Sequence, residues 1–84
     1  MTTLDPHIEA VAAARYGRRV LVCHPVKASY GPHGRSTFLK FGTHCIVRKA
    51  CPEHVDLEVK SGGGVYLLRV LREGFADLDL EPAR

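Results

Sequence analysis

At 84 residues and a net charge of +3, the chain is a single domain whose core is only just large enough to fold unaided. Its apolar stretches, such as residues 20–23 and 65–68, are far too short to span a bilayer as a helix. Three cysteines are an odd number where a disulfide-stapled secreted scaffold carries an even set.

The opening Met-Thr-Thr-Leu-Asp-Pro lacks the basic and apolar regions of a signal peptide, so the expected compartment is the cytoplasm. The charge is sharply ordered. Residues 15–49 carry eight Lys/Arg (Arg15, Arg18, Arg19, Lys27, Arg35, Lys40, Arg48, Lys49) and no Asp or Glu, so the chain reads −2, +8 and −3 from N- to C-terminus. Such polarity favours an acidic partner: nucleic acid, an anionic protein face or another copy's acidic tail.

The first predicted element is a helix over about residues 6–16. Asp5 is placed to cap the first turn and Pro6 suits the first helical position, where no donor is needed. Ile8, Val11 and Ala12 share one face, Leu4 is placed to reach Ile8, and Gly17 is a natural stop. Arg15, Arg18 and Arg19 then gather at the negative helix end.

After Gly17 the period changes to two. A strand is expected over residues 18–24, followed by a Gly/Pro-punctuated loop over 25–35. Residues 36–41 and 43–49 read as two strands turning near Gly42, or as one strand bent there by a bulge. Residues 50–54 form a connector. Val55, Leu57 and Val59 alternate with Asp56, Glu58 and Lys60, Ser61-Gly62-Gly63-Gly64 makes a hairpin turn, and residues 65–72 return. A short last strand over 76–81 puts Ala76, Leu78 and Leu80 inward, with Asp77, Asp79 and Glu81 outward.

The expected fold is α+β: one N-terminal helix packed on a curved antiparallel sheet of five or six strands, or on a small barrel rolled from it. With three Phe and three Tyr, such a core claims most of the aromatics. Strand alternation should also divide the eight bases between two faces, leaving about half on any one surface.

Chemistry is sparse. Cys45, Cys51 and His54 are the metal candidates, with Cys23, His24 or His44 as a fourth ligand, but only Cys51-Pro52-Glu53-His54 has a ligand-pair spacing. The plainer reading is three buried or partly buried thiols. No nucleophile, base and orienting acid can be assembled, so no enzyme and no cofactor are expected. The loop around Tyr30, His33 and Arg35 lacks phosphate-loop spacing and reads instead as a contact loop with an aromatic–basic trio.

The partner-binding candidates are therefore Arg15, Arg18, Arg19, Tyr30, His33, Arg35 and Lys40. An acidic or nucleic-acid-binding protein surface is the expected partner, and the basic window leaves nucleic acid open as a direct ligand. Opposite charge at the two ends and the odd cysteines permit a homodimer. A membrane partner is not expected.

One resemblance follows from this character. The Ala/Arg/Val-rich run Ile8-Glu9-Ala10-Val11-Ala12-Ala13-Ala14-Arg15 suits a GC-rich bacterial or phage genome. A single motif-free domain with segregated charge resembles the small phage-encoded inhibitors of bacterial defence, the anti-CRISPR proteins. The resemblance lies in the whole chain and transfers no site residue. It implies a stoichiometric inhibitor that docks on a CRISPR effector complex, through a Cas subunit, and hinders its binding of target DNA.

Overall fold

The structure, a computed structural model, describes residues 5–81. Asp5 caps the helix as its position predicts: its Oδ1 accepts from the His7 N–H at 2.9 Å, and Pro6 opens α1 (Pro6–Ala12). The expected contact of Leu4 with Ile8 lies outside the described residues. The helix stops at Ala12 rather than residue 16. The Gly17 N–H donates to the Val47 carbonyl (2.8 Å) and the Val47 N–H to Arg18 (2.8 Å), which holds residues 17–18 against the sheet. Pairing with the sheet overrides the helix propensity of Ala13 and Ala14.

Seven strands follow among the described residues: β1 (Arg19–Val22), β2 (Val26–Tyr30), β3 (Arg35–Leu39), β4 (His44–Ala50), β5 (His54–Ser61), β6 (Gly64–Leu71) and β7 (Leu78–Leu80). A 3-10 turn (Arg72–Asp77) links the last two. All pair antiparallel in the order β3-β2-β6-β5-β4-β1-β7. The count of five or six is corrected to seven because residues 26–30, expected to be loop, pair with β3 over five positions. Residues 36–41 and 43–49 do fall on separate strands, yet β3 and β4 are not neighbours.

Two short links show that the sheet is rolled. β1 and β2 lie four places apart in it, as do β3 and β4. Four strand spacings measure about 19 Å in a flat sheet. The chain from Val22 to Val26 reaches about 14 Å at most, and that from Leu39 to His44 about 18 Å. The sheet must therefore curl until these ends meet. Gly42 N–H donates to the Val22 carbonyl at 2.8 Å, and Cys23 N–H to the Asp77 carbonyl at 2.8 Å, fixing both links. Among the described residues the roll stays open: β3 and β7 each pair on one side only.

Inside it, Val20, Val22, Val47, Val55, Leu57, Val70, Phe75 and Leu78 are wholly buried in one cluster, and α1 adds Val11. The helix lies on the 3-10 turn and β7, where His7 Nε2 donates to the Leu78 carbonyl and Arg72 pairs with Glu9. Phe75 is the one aromatic wholly buried among the described residues, so the expectation of an aromatic core is corrected. Valines and leucines fill it instead. No described helix is long and apolar enough to cross a membrane.

Candidate functional site

None of the eight bases between residues 15 and 49 is buried. Three features interrupt the strand alternation along this window. Arg15 and Arg18 precede β1, Lys40 follows β3, and a bulge in β4 breaks the period. Val47 lies opposite Leu57 and Lys49 opposite Asp56, leaving Arg48 as the extra residue. Arg48 and Lys49 are consecutive, and both are exposed. A bulge re-aims side chains in this way.

The carboxylates are largely occupied elsewhere. Arg69 holds Asp56 at 2.8 Å, Arg72 holds Glu9, and His44 lies 2.6 Å from Glu81. Asp77 lies 3.9 Å from His24. Of the eight bases only Arg48 has a carboxylate partner among the described residues, Glu58 at 2.7 Å. Such exposed pairs add little stability. Their consequence is where positive potential remains: on Arg15, Arg18, Arg19, Lys27, Arg35, Lys40 and Lys49.

Arg15, Arg18 and Arg19 lie together where the chain enters β1, with an Arg15 carbonyl to Arg18 N–H bond of 3.0 Å. Beside them the Arg48 guanidinium sits 5.4 Å from the centre of the Tyr16 ring, within cation–π range. Arg48 also lines a hollow with Tyr30, Gly31 and Gly34 of the β2–β3 hairpin. It thus stands between the two clusters that the sequence separates, and it was missed because nothing in the sequence marks the bulge.

The hairpin trio is split. His33 and Arg35 are exposed, whereas Tyr30 is half-buried against the core and opposite Arg35 in register. Gly31 and Gly34 take φ of +76° and +64°, which a tight turn here requires. Lys40 opens a turn closed by Thr43 N–H to the Lys40 carbonyl (3.1 Å), with Gly42 at φ +85°. Phe41 occupies its corner and is 74% exposed, Tyr16 is 72% exposed and Phe38 66%. Three aromatics therefore stand in solvent within the basic window. In sequence, Phe38 and Leu39 are both apolar, so nothing there tells which faces out.

Cys45, Cys51 and His54 do not converge. Cys45 sits near the start of β4 and Cys51 just past its end, about 20 Å away along an extended chain. Cys45 is buried, and burial pushes its thiol up to about 11, an unreactive state. Cys51 Sγ lies 3.5 Å from His54 Nδ1, a local contact of the β4–β5 link. Among the described residues no three His, Cys, Asp or Glu side chains gather as a metal site.

No protein-family model matches the chain, and no curated protein or solved structure shows a significant likeness to it.

Proposed function

We propose that the chain is a non-catalytic binding protein that occludes a partner with its basic surface. In its most specific form it is a stoichiometric inhibitor of a CRISPR-Cas effector complex in the bacterial cytoplasm, hindering target DNA binding. One observation carries the reading: seven of the eight bases from residue 15 to 49 have no carboxylate partner among the described residues, while most acids are paired or cap the helix. Unpaired bases on one molecule speed association with an acidic partner and make it sensitive to salt. The CRISPR form rests on the resemblance of the whole chain to anti-CRISPR proteins.

The test is an Arg18→Glu, Arg19→Glu, Arg35→Glu variant, checked for folding by circular dichroism and added to effector complexes presented with target DNA. Wild type should block DNA binding and the variant should not. Full inhibition by the folded variant sinks the basic-surface reading.

A second reading, a small nucleic-acid-binding domain, is favoured by Phe38 and Phe41, which stand in solvent where they are free to stack on bases. Gel shifts with single- and double-stranded DNA and RNA separate the two readings. Direct binding weakens steeply with salt as phosphate contacts release counterions.

A further inference from the structure

Several hollows mark the surface, and their charges differ. One beside Pro25 and Arg69 includes Glu73 and Asp77. A second, beside Arg48, includes Asp56, and a third, beside Arg19, includes Glu58 and Glu81. A fourth, about 540 Å³, lies between β3 and the β5–β6 hairpin and has no Asp or Glu among the described residues that line it. Its lining carries three aromatics, Tyr30, Phe38 and Tyr66, and two bases, Lys40 and Lys60. β3 and β5 are not neighbours in the sheet, so the hollow lies between strands that the curl brings near each other.

The geometry points to a binding site for single-stranded nucleic acid in this hollow. The proposal deepens the nucleic-acid reading above and rests on it. A nucleotide presents a planar π face and an anionic phosphate, and the hollow offers aromatic rings and ammonium groups with no carboxylate to repel the phosphate. Phe38 and Tyr66 are 66% and 51% exposed, so their rings are accessible for stacking. Tyr66 lies over Gly64, where a Cβ would stand 3.4 Å from its Oη, which places the ring at the hairpin end.

The same pairing of base and aromatic continues outside the hollow. Lys27 is the cross-strand neighbour of Phe38, and Phe41 follows Lys40 on its turn. Repetition suits a strand of several nucleotides better than one mononucleotide. A duplex keeps its base faces stacked internally and cannot use the rings.

The test measures fluorescence anisotropy of labelled single strands of about 12 nucleotides and of the matching duplex, at about 50 mM salt. The full chain is compared with two variants: Phe38→Ala/Tyr66→Ala and Lys40→Glu/Lys60→Glu. Single strands should bind at least about tenfold more tightly than duplex, and the aromatic variant should lose about tenfold or more. The lysine variant should also flatten the slope of log affinity against log salt by about 1.4.

Equal affinity for duplex, or wild-type affinity in both hollow variants, overturns this site while leaving the nucleic-acid reading intact. So does competition by a free mononucleotide as effective as the strand itself. Absence of binding to every oligonucleotide overturns the nucleic-acid reading as a whole.

Discussion

The β5–β6 and β2–β3 hairpins share an architecture and divide the labour. β5–β6 pairs without interruption from His54↔Leu71 to Ser61↔Gly64 and contributes Val55, Leu57, Val59, Leu68 and Val70 to the core. Its turn, Gly62-Gly63, takes φ of +58° and +82°, the conformation that matches strand twist in a two-residue hairpin. β2–β3 is shorter and meets β6 only at Ser29↔Arg69 and Tyr30↔Leu68. It buries Val26, Ala28 and Leu39, and it displays Lys27, His33, Arg35 and Phe38. One hairpin supplies much of the core, and the other holds exposed basic and aromatic side chains at an open edge. An exposed edge can carry binding groups because few core contacts depend on its outward side chains.

The sharpest way to break this comparison is truncation in each hairpin. Leu57→Ala should cost about 3–5 kcal/mol, enough to approach the whole stability of so small a domain. Leu39→Ala, beside an edge that can relax, should fall near 2 kcal/mol. Urea unfolding of both variants measures the difference, and equal losses would mean the two hairpins share the core evenly.

Gly74 probes the seam between the hairpins. A Cβ there would stand 2.5 Å from Val26 Cγ2 and 2.8 Å from Val70 Cγ1, one on each hairpin. Its φ is not in the positive range, so the penalty is steric crowding and not backbone strain. Gly74→Ala should cost about 1–3 kcal/mol. Amide exchange should then rise first in β2, because β2 has few ladder bonds to β6.

The smallest effect belongs to Phe38→Ala, which should change stability by less than about 0.5 kcal/mol. A thermal melt checks this. A drop of several degrees would show that the ring serves packing rather than contact.

Some of this division was legible in the sequence. Alternation over residues 55–60, three glycines in a row and a second apolar run predict β5–β6 nearly to the residue. Asp5-Pro6 likewise predicts the helix start. Val26-Lys27-Ala28-Ser29-Tyr30 also alternates, but its neighbours Pro25, Gly31, Pro32 and Gly34 made the stretch resemble a loop. Those residues bound the strand and do not interrupt it. The 3-10 turn at Arg72–Asp77 was missed because Ala76 continues the alternation of Leu78 and Leu80. Its residues are recruited instead to pack Phe75 into the core and to receive the Cys23 amide. Among the candidate site residues, Arg15, Arg18, Arg19, His33, Arg35 and Lys40 lie outside the core as expected, while Tyr30 is shared with it.

By itself the sequence determined that the chain is α+β, where its helix begins, where the β5–β6 hairpin turns and that its bases are segregated from its acids. These follow from local periodicity, capping chemistry and charge order, all of which act over a few residues. Tertiary structure alone decided the strand order of the rolled sheet, the bulge at Arg48, the exposure of Phe38 and Phe41, and the acid-free hollow beside β3. Each depends on which distant strands become neighbours. That is a matter of link length and packing, and no short window of sequence contains it.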